Sequence, residues 1–122
     1  MANILVVEDH AANMTLAVFL LESAGQSVAK AVNAEAGLML ARADHPDLIL
    51  MDIQLPGMDG LEATALLKDD AETRDIPVIA LTALAMKGDE ERIRAAGCDG
   101  YISKPISYQS FLATIASELT PA

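Results

Sequence analysis

The chain has 122 residues, 52% of them hydrophobic, and 18 acidic side chains against eight basic ones give it a formal net charge of −10. This length suits one domain with a hydrophobic core, which must be largely aliphatic because the chain has two Phe, two Tyr and no Trp. So acidic a chain is not expected to bind nucleic acid or anionic lipid, and divalent cations or basic protein surfaces are the expected partners.

No segment indicates export or a membrane span. The apolar run near the start is too short for a signal peptide, and no stretch approaches the roughly 20 apolar residues that cross a bilayer. Cys98 is the single cysteine and cannot form an internal disulfide, which fits a reducing compartment. We therefore expect a cytoplasmic domain over residues 1–122, without an output domain or membrane contact, as a monomer or a weak dimer.

Four short apolar runs predict strands buried on both faces, as in a parallel sheet. They cover residues 4–7, 48–51, 78–81 and, more weakly, 101–102. A fifth segment, residues 27–31, alternates between apolar and polar side chains and predicts an edge strand.

The segments between these runs have the apolar spacing of amphipathic helices. The first has Met14, Ala17, Val18 and Leu21 on one face, with Gly25 placed to end it. The others are predicted from the Asn33 cap to the residue before His45, over residues 61–68, from the acids at 89–91 to Gly97, and after a Ser107 cap. We expect the methionines and Cys98 in the core, and His10 and His45 on the surface without a role.

Strand and helix thus alternate five times, which predicts a doubly wound, flavodoxin-like α/β fold with a parallel sheet in the order 2-1-3-4-5. In such sheets ligands bind beyond the carboxyl ends of the strands. Four predicted strand ends carry polar groups, namely Glu8 with Asp9, Asp52, Thr82 and Lys104. Each alone could be a cap or turn residue, but together they predict one functional crevice.

Three carboxylates and one ammonium in a crevice require a cation, and hard oxygen ligands suit Mg²⁺, with Mn²⁺ as a substitute. No His or Cys pair has the spacing of a zinc site, so softer metals are not expected. A carboxylate beside Mg²⁺ can attack a phosphoryl group. Asp52 is the candidate nucleophile, with Lys104 to neutralise charge and Thr82 to donate a hydrogen bond.

Several motifs resemble the receiver domain of two-component response regulators. They are Val7-Glu8-Asp9, residues 51–60 (MDIQLPGMDG), residues 80–83 (ALTA), residues 97–101 (GCDGY) and Ser103-Lys104-Pro105. Residues 85–92 are similar to DivK-type single-domain regulators and to the receivers of hybrid histidine kinases. The resemblance implies a signalling phosphoacceptor rather than an enzyme.

The resemblance also implies roles for individual residues. Asp52 would accept the phosphoryl group. Mg²⁺ would be held by Asp52, by Asp9 directly, by Glu8 through water and by the backbone carbonyl of Gln54. The lysine that pairs with the phosphoryl group corresponds to Lys104, and the switch pair corresponds to Thr82 and Tyr101. A cis peptide before Pro105 would aim Lys104 at the site.

The implied donor is a phosphohistidine on a histidine kinase or a histidine phosphotransfer protein, and the output is contact with a downstream protein. The donor is expected to dock on the first helix, through Asn13, Met14 and Ala17, and on the loop at Pro105-Ile106. Two residues differ from common family members, since Glu8 stands where Asp is frequent and His10 stands where Asn or Asp is frequent. Residues 54 and 84 tune phosphate lifetime in the family. Apolar Leu84 cannot orient a water, so slow self-dephosphorylation is expected.

Three other classes of protein share parts of this pattern. A phosphatase with an aspartyl-phosphate intermediate usually has a second Asp two residues after the first, where this chain has Gln54. A flavin-binding module needs a phosphate loop rich in Ser, Thr and Gly after the first strand, where this chain has Glu8-Asp9-His10. An interaction domain that works without phosphorylation is disfavoured by the complete set of site residues.

Overall fold

Strands and helices alternate along the chain in the computed structural model, which describes residues 2–82, 87–104 and 108–119. The strands are β1 (Asn3–Val7), β2 (Ser27–Ala31), β3 (Leu48–Asp52), β4 (Val78–Thr82) and β5 (Gly100–Ser103). The helices are α1 (Ala11–Ser23), α2 (Ala34–Asp44), α3 (Gly60–Asp69), α4 (Lys87–Ala95) and α5 (Tyr108–Leu119).

The five strands form one parallel sheet in the order β2-β1-β3-β4-β5, as predicted. The register sets Val7 beside Met51 and Asp52 beside Leu81. The central strands β1, β3 and β4 therefore end at the same edge, and the residues that follow them share one crevice.

The core has two layers, one on each face of the sheet. Side chains of α1 and α5 pack on one face, and those of α2, α3 and α4 pack on the other. Successive residues of a strand point to opposite faces, so Leu5 joins one layer and Val6 the other. Burial on both sides explains why the central strands are unbroken apolar runs.

The predicted helices are present where the structure describes them, although α3 begins at Gly60 and α4 at Lys87, before the predicted starts. The Asn33 side chain accepts a hydrogen bond from the backbone N–H of Ala36 at 2.8 Å and caps α2, which ends at the left-handed His45. Gly25 and Gly97 follow α1 and α4 with φ of +87° and +105°. Ser107, Pro105, Ile106 and Leu84 lie outside the described residues.

Two predictions about side chains were wrong. Met14 and Ala17 are buried beneath α1, so they cannot form the docking face predicted for that helix. The apolar face of a helix turns toward the sheet because burial there removes it from water. The second error is Met39, which is 70% exposed on α2 rather than in the core. Among the described residues, no helix is long and apolar enough to span a membrane.

The loop between β3 and α3 folds back tightly onto the end of β3. The backbone N–H of Gly60 donates to the carbonyl of Ile53 at 3.2 Å, and the Asp59 side chain caps α3 by accepting from Glu62 N–H at 2.8 Å. A Cβ atom on Gly60 would overlap the backbone carbonyl of Asp52 and lie 2.7 Å from Cα of Ile53. A glycine is therefore required here for α3 to approach the end of β3.

We expect Gly60→Ala to lower the free energy of unfolding by about 1–3 kcal/mol, because rigid backbone must move to admit the methyl group. Urea denaturation followed by circular dichroism measures the change. Gly88→Ala is the matched control, since Gly88 lies in α4 with no atom within 4 Å of its Cβ position, and this variant should be neutral or more stable. Equal stability of Gly60→Ala and wild type would contradict the close approach.

Candidate functional site

Two carboxylates are buried where the central strands end. Glu8 follows β1 directly, and its backbone N–H donates to the carbonyl of Ala31 at 3.0 Å. Asp52 is the last residue of β3, and the next residue, Ile53, donates to the carbonyl of Leu81 at 3.2 Å. Both acids are only 1% exposed. The sheet itself therefore fixes the positions of the two carboxylates.

A lysine bridges the two buried acids. Nζ of Lys104 lies 2.9 Å from Oε1 of Glu8 and 3.1 Å from Oδ2 of Asp52. The backbone N–H of Lys104 donates to the carbonyl of Thr82 at 2.7 Å. The fold thus brings together three of the residues that were predicted from separate strand ends.

The second oxygen of Asp52 is also occupied, since Oδ1 accepts a hydrogen bond from the backbone N–H of Gln54 at 2.9 Å. Thr82 is fully buried at the end of β4, and Tyr101 in β5 is half-buried against the core layer formed with α2, α3 and α4. The sequence predicted a metal-binding carbonyl for Gln54 and a switch for Thr82 and Tyr101. These roles stay predictions.

The outer part of the site contains Asp9 and His10. One ligand atom each from Glu8, Asp9, His10 and Asp52 can be chosen so that all four lie within 4.8 Å of one another. The sequence prediction that His10 and His45 are exposed is confirmed. Sequence reasoning gave His10 no role, because nothing in the spacing of the two histidines revealed that one of them would meet three carboxylates.

The acids influence each other's protonation. Burial raises the pKa of Asp52 to about 6, and the neighbouring Glu8 carboxylate adds to the shift. Burial also acts to raise the pKa of Glu8, but hydrogen bonds with Asp52 and Lys104 outweigh it and hold that pKa below its usual range. Burial acts to lower the pKa of Lys104, whereas its bonds to Glu8 and Asp52 raise it overall. The lysine therefore remains an ammonium.

The donor set fits a magnesium ion. Glu8, Asp9 and Asp52 contribute three negative charges and Lys104 one positive charge, so the ionised site carries −2, the charge that a divalent cation would neutralise. Mg²⁺ prefers carboxylate oxygens and keeps several waters, which suits a site that is open on the side of Asp9. Among the described residues, every buried side-chain nitrogen and oxygen has a hydrogen-bond partner, so the crevice is already ordered around its charges.

The raised pKa of Asp52 makes the stability of the metal-free protein depend on pH. Because the folded state disfavours the ionised form of Asp52, this carboxylate lowers the free energy of unfolding at pH above about 6. The effect disappears as the pH falls toward 3.8, the ordinary pKa of an aspartate. This rise in the pKa of Asp52 corresponds to a penalty of about 3 kcal/mol at most in the free energy of unfolding. We expect Asp52→Asn in EDTA to be more stable than wild type at pH 7.5, with a difference that shrinks by pH 5.

Denaturant unfolding at both pH values measures this difference. Asp69→Asn changes an exposed acid on α3 and is the matched control, expected to match wild type at both pH values. An Asp52→Asn variant that is no more stable than wild type at pH 7.5 would show that the ionised Asp52 carboxylate does not destabilise the folded state.

Comparisons with known proteins agree with this geometry. A family model described as the response regulator receiver domain matches residues 4–116. The polar-differentiation response regulators DivK of Brucella ovis and Brucella abortus are each 56% identical over 120 residues, which is 98% of this chain and 98% of each relative.

Two solved structures have a similar fold. The chemotaxis protein CheY4 of Vibrio cholerae matches with a TM-score of 0.92 and 25% identity over 98% of this chain and 99% of its own. The receiver domain of a Pseudomonas aeruginosa sensor histidine kinase, solved with a magnesium ion coordinated in its active site cleft, matches with a TM-score of 0.90 and 33% identity over 97% of each chain. The chain therefore belongs to the response regulator receiver domain family, whose members are signalling proteins of two-component systems rather than conventional enzymes.

Proposed function

We propose that this protein is a phosphoacceptor switch in which Asp52 receives a phosphoryl group from a phosphohistidine of a histidine kinase or a histidine phosphotransfer protein. The observation that supports it best is the set of contacts of Asp52. Its carboxylate is 1% exposed yet held by Lys104 at one oxygen and by Gln54 N–H at the other, beside two further acids. A buried acid with only a structural role gains nothing from neighbouring acids, because they destabilise the folded state. A carboxylate that acts as a metal-assisted nucleophile needs them, because they help to bind the metal ion.

In the proposed reaction an oxygen of Asp52 attacks phosphorus in line with the leaving imidazole. The oxygen–phosphorus bond forms as the phosphorus–nitrogen bond of the donor breaks, and the donor histidine leaves with the electron pair of that bond. The backbone N–H of Gln54 and the ammonium of Lys104 hold the carboxylate in one orientation before the reaction.

Lys104 has a second role in the proposal. It would transfer its contacts from the carboxylates to the phosphoryl oxygens, where its charge is needed most. The hydroxyl of Thr82 at the end of β4 would donate to the same oxygens, and Tyr101 would follow into the space that Thr82 leaves. A bound Mg²⁺, or Mn²⁺ in its place, would neutralise phosphoryl charge and would be held by Glu8, Asp9, Asp52 and the backbone carbonyl of Gln54.

The signal would leave through contact with a downstream protein, and the protein would act as a monomer or a weak dimer in the cytoplasm. Because Met14 and Ala17 are buried, donor docking on α1 would use the half-buried Asn13 and the exposed Leu16 on the solvent side of that helix. The phosphatase alternative finds no support, because Gln54 offers no acid or base at the position where that class of enzyme has one.

The central test is the intact mass after incubation with acetyl phosphate and Mg²⁺. We expect wild type to gain one phosphoryl group, and Asp52→Ala to gain none because the attacking oxygen is missing. Asp69→Ala removes an exposed acid of α3 outside the site and should label like wild type. Labelling should stop in EDTA and return with Mn²⁺. Labelling that persists in Asp52→Ala would refute the assignment, and a failure of wild type to label would favour the interaction domain that works without phosphorylation.

The phosphoaspartate is expected to be long-lived. Gln54 and Leu84 are the residues that would tune its hydrolysis, and an apolar side chain at position 84 cannot position an attacking water by hydrogen bonding. Loss of the phosphoryl group from purified protein, followed by mass spectrometry after removal of the donor, should take minutes or longer. Leu84→Asn should shorten this time, and loss from wild type within seconds would contradict the proposal.

A further inference from the structure

His10 reaches into the acidic cluster although its ring is mostly exposed. The backbone N–H of His10 donates to Oε2 of Glu8 at 3.2 Å, and Nδ1 of its ring lies 3.5 Å from the same oxygen and 3.2 Å from Oδ1 of Asp9. Backbone and side chain of one residue thus converge on the carboxylates that were predicted to bind metal.

This convergence requires a hydrogen atom or a cation between the ring nitrogen and the carboxylate oxygens. A neutral imidazole nitrogen without a hydrogen carries a lone pair, as do the oxygens of Glu8 and Asp9, and such atoms repel at 3.2–3.5 Å. Either a hydrogen on Nδ1, which a neutral ring can also carry, or a cation between the three atoms removes the repulsion. His10 can therefore act as a hydrogen-bond donor to the acids or as a metal ligand.

The distances fit a ligand. Two donor atoms that each lie about 2.1 Å from a metal ion at a right angle are about 3.0 Å apart. The separation of 3.2 Å between His10 Nδ1 and Asp9 Oδ1 is close to this value. Ligand atoms of Glu8 and Asp52 complete a group of four within 4.8 Å, which is wider than the distance of about 4.2 Å between opposite ligands of such an ion, so the side chains would move inward when it binds.

We propose that His10 is a nitrogen ligand that lets this site take borderline transition-metal ions, such as Zn²⁺, Co²⁺ and Ni²⁺, by a mode unavailable to Mg²⁺. The inference rests on the metal site of the proposed function and adds specificity to it. Imidazole suits these ions, whereas Mg²⁺ is bound by oxygen and gains little from nitrogen. The same crevice would then bind Mg²⁺ through carboxylates alone and Zn²⁺ through carboxylates and His10.

The test compares Zn²⁺ and Mg²⁺ binding to wild type, His10→Asn and His45→Asn by calorimetry. His45→Asn is the matched control, because His45 is the second exposed histidine, pairs with Asp75 at 3.4 Å and has a left-handed backbone that Asn tolerates. We expect His10→Asn to weaken Zn²⁺ binding at least about tenfold while Mg²⁺ affinity stays within about twofold. Loss of an outer-shell partner of a metal ligand already costs about 10–100-fold in affinity, so loss of a ligand should cost at least as much. His45→Asn should bind both ions like wild type.

Nitrogen-15 NMR of the histidine rings provides a direct readout of coordination. Zn²⁺ should move the Nδ1 resonance of His10 and leave that of His45, and Mg²⁺ should shift neither by direct coordination. The inference is overturned if His10→Asn binds Zn²⁺ like wild type, if it loses both ions equally, or if the ring resonance of His10 does not respond to Zn²⁺. A wild type that binds neither ion would instead refute the metal site of the proposed function, and this inference with it.

Discussion

The bridge from Lys104 to Glu8 and Asp52 is the interaction on which the site depends. Two carboxylates that are almost completely buried would otherwise repel each other in a region of low dielectric. The ammonium that compensates them is 96 residues from Glu8 and 52 from Asp52 in the sequence. The site consequently exists only when β5 has joined the sheet beside β4, because the backbone N–H of Lys104 is anchored on Thr82. The pairing of β5 with β4 therefore both stabilises the sheet and places Lys104 in the site.

The sequence predicted the sheet order and the location of the crevice because both follow from burial. Strands covered on two faces must be continuously apolar, so the first polar residue after each strand marks the edge where ligands bind. Helix α1 shows where this reasoning ends. The spacing correctly placed Met14 and Ala17 on the face that meets the sheet, yet Leu16 and Phe19 are equally apolar and remain exposed. The predicted docking face was wrong in part because it included the inward residues Met14 and Ala17, which the packing of α1 against the sheet and α5 buries.

His10 marks a second limit of sequence reasoning. The ring turns toward the acids because the chain leaves β1 in an extended conformation at His10, and the bond from its N–H to Glu8 fixes that turn. Neither feature has a signature in residue spacing, so a histidine with no partner along the sequence acquires three carboxylates in space. If His10 binds metal as proposed, metal preference at this edge of the sheet would depend on one backbone turn as well as on the types of residue present.

The charge balance also explains how an event at Asp52 would reach the surface. In the unmodified site the ammonium of Lys104 is divided between two carboxylates. A phosphorylated side chain carries about −1.5 to −2 charges, more than the carboxylate it replaces, so the ammonium must favour the new group and its bond to Glu8 must weaken. Lys104 is tied through its backbone to the carbonyl of Thr82 and follows the strand that contains Tyr101. In the proposed switch, a redistribution of one charge at the end of this strand would bias the half-buried aromatic ring, and a local electrostatic change would become a change of shape on the face that partners would contact.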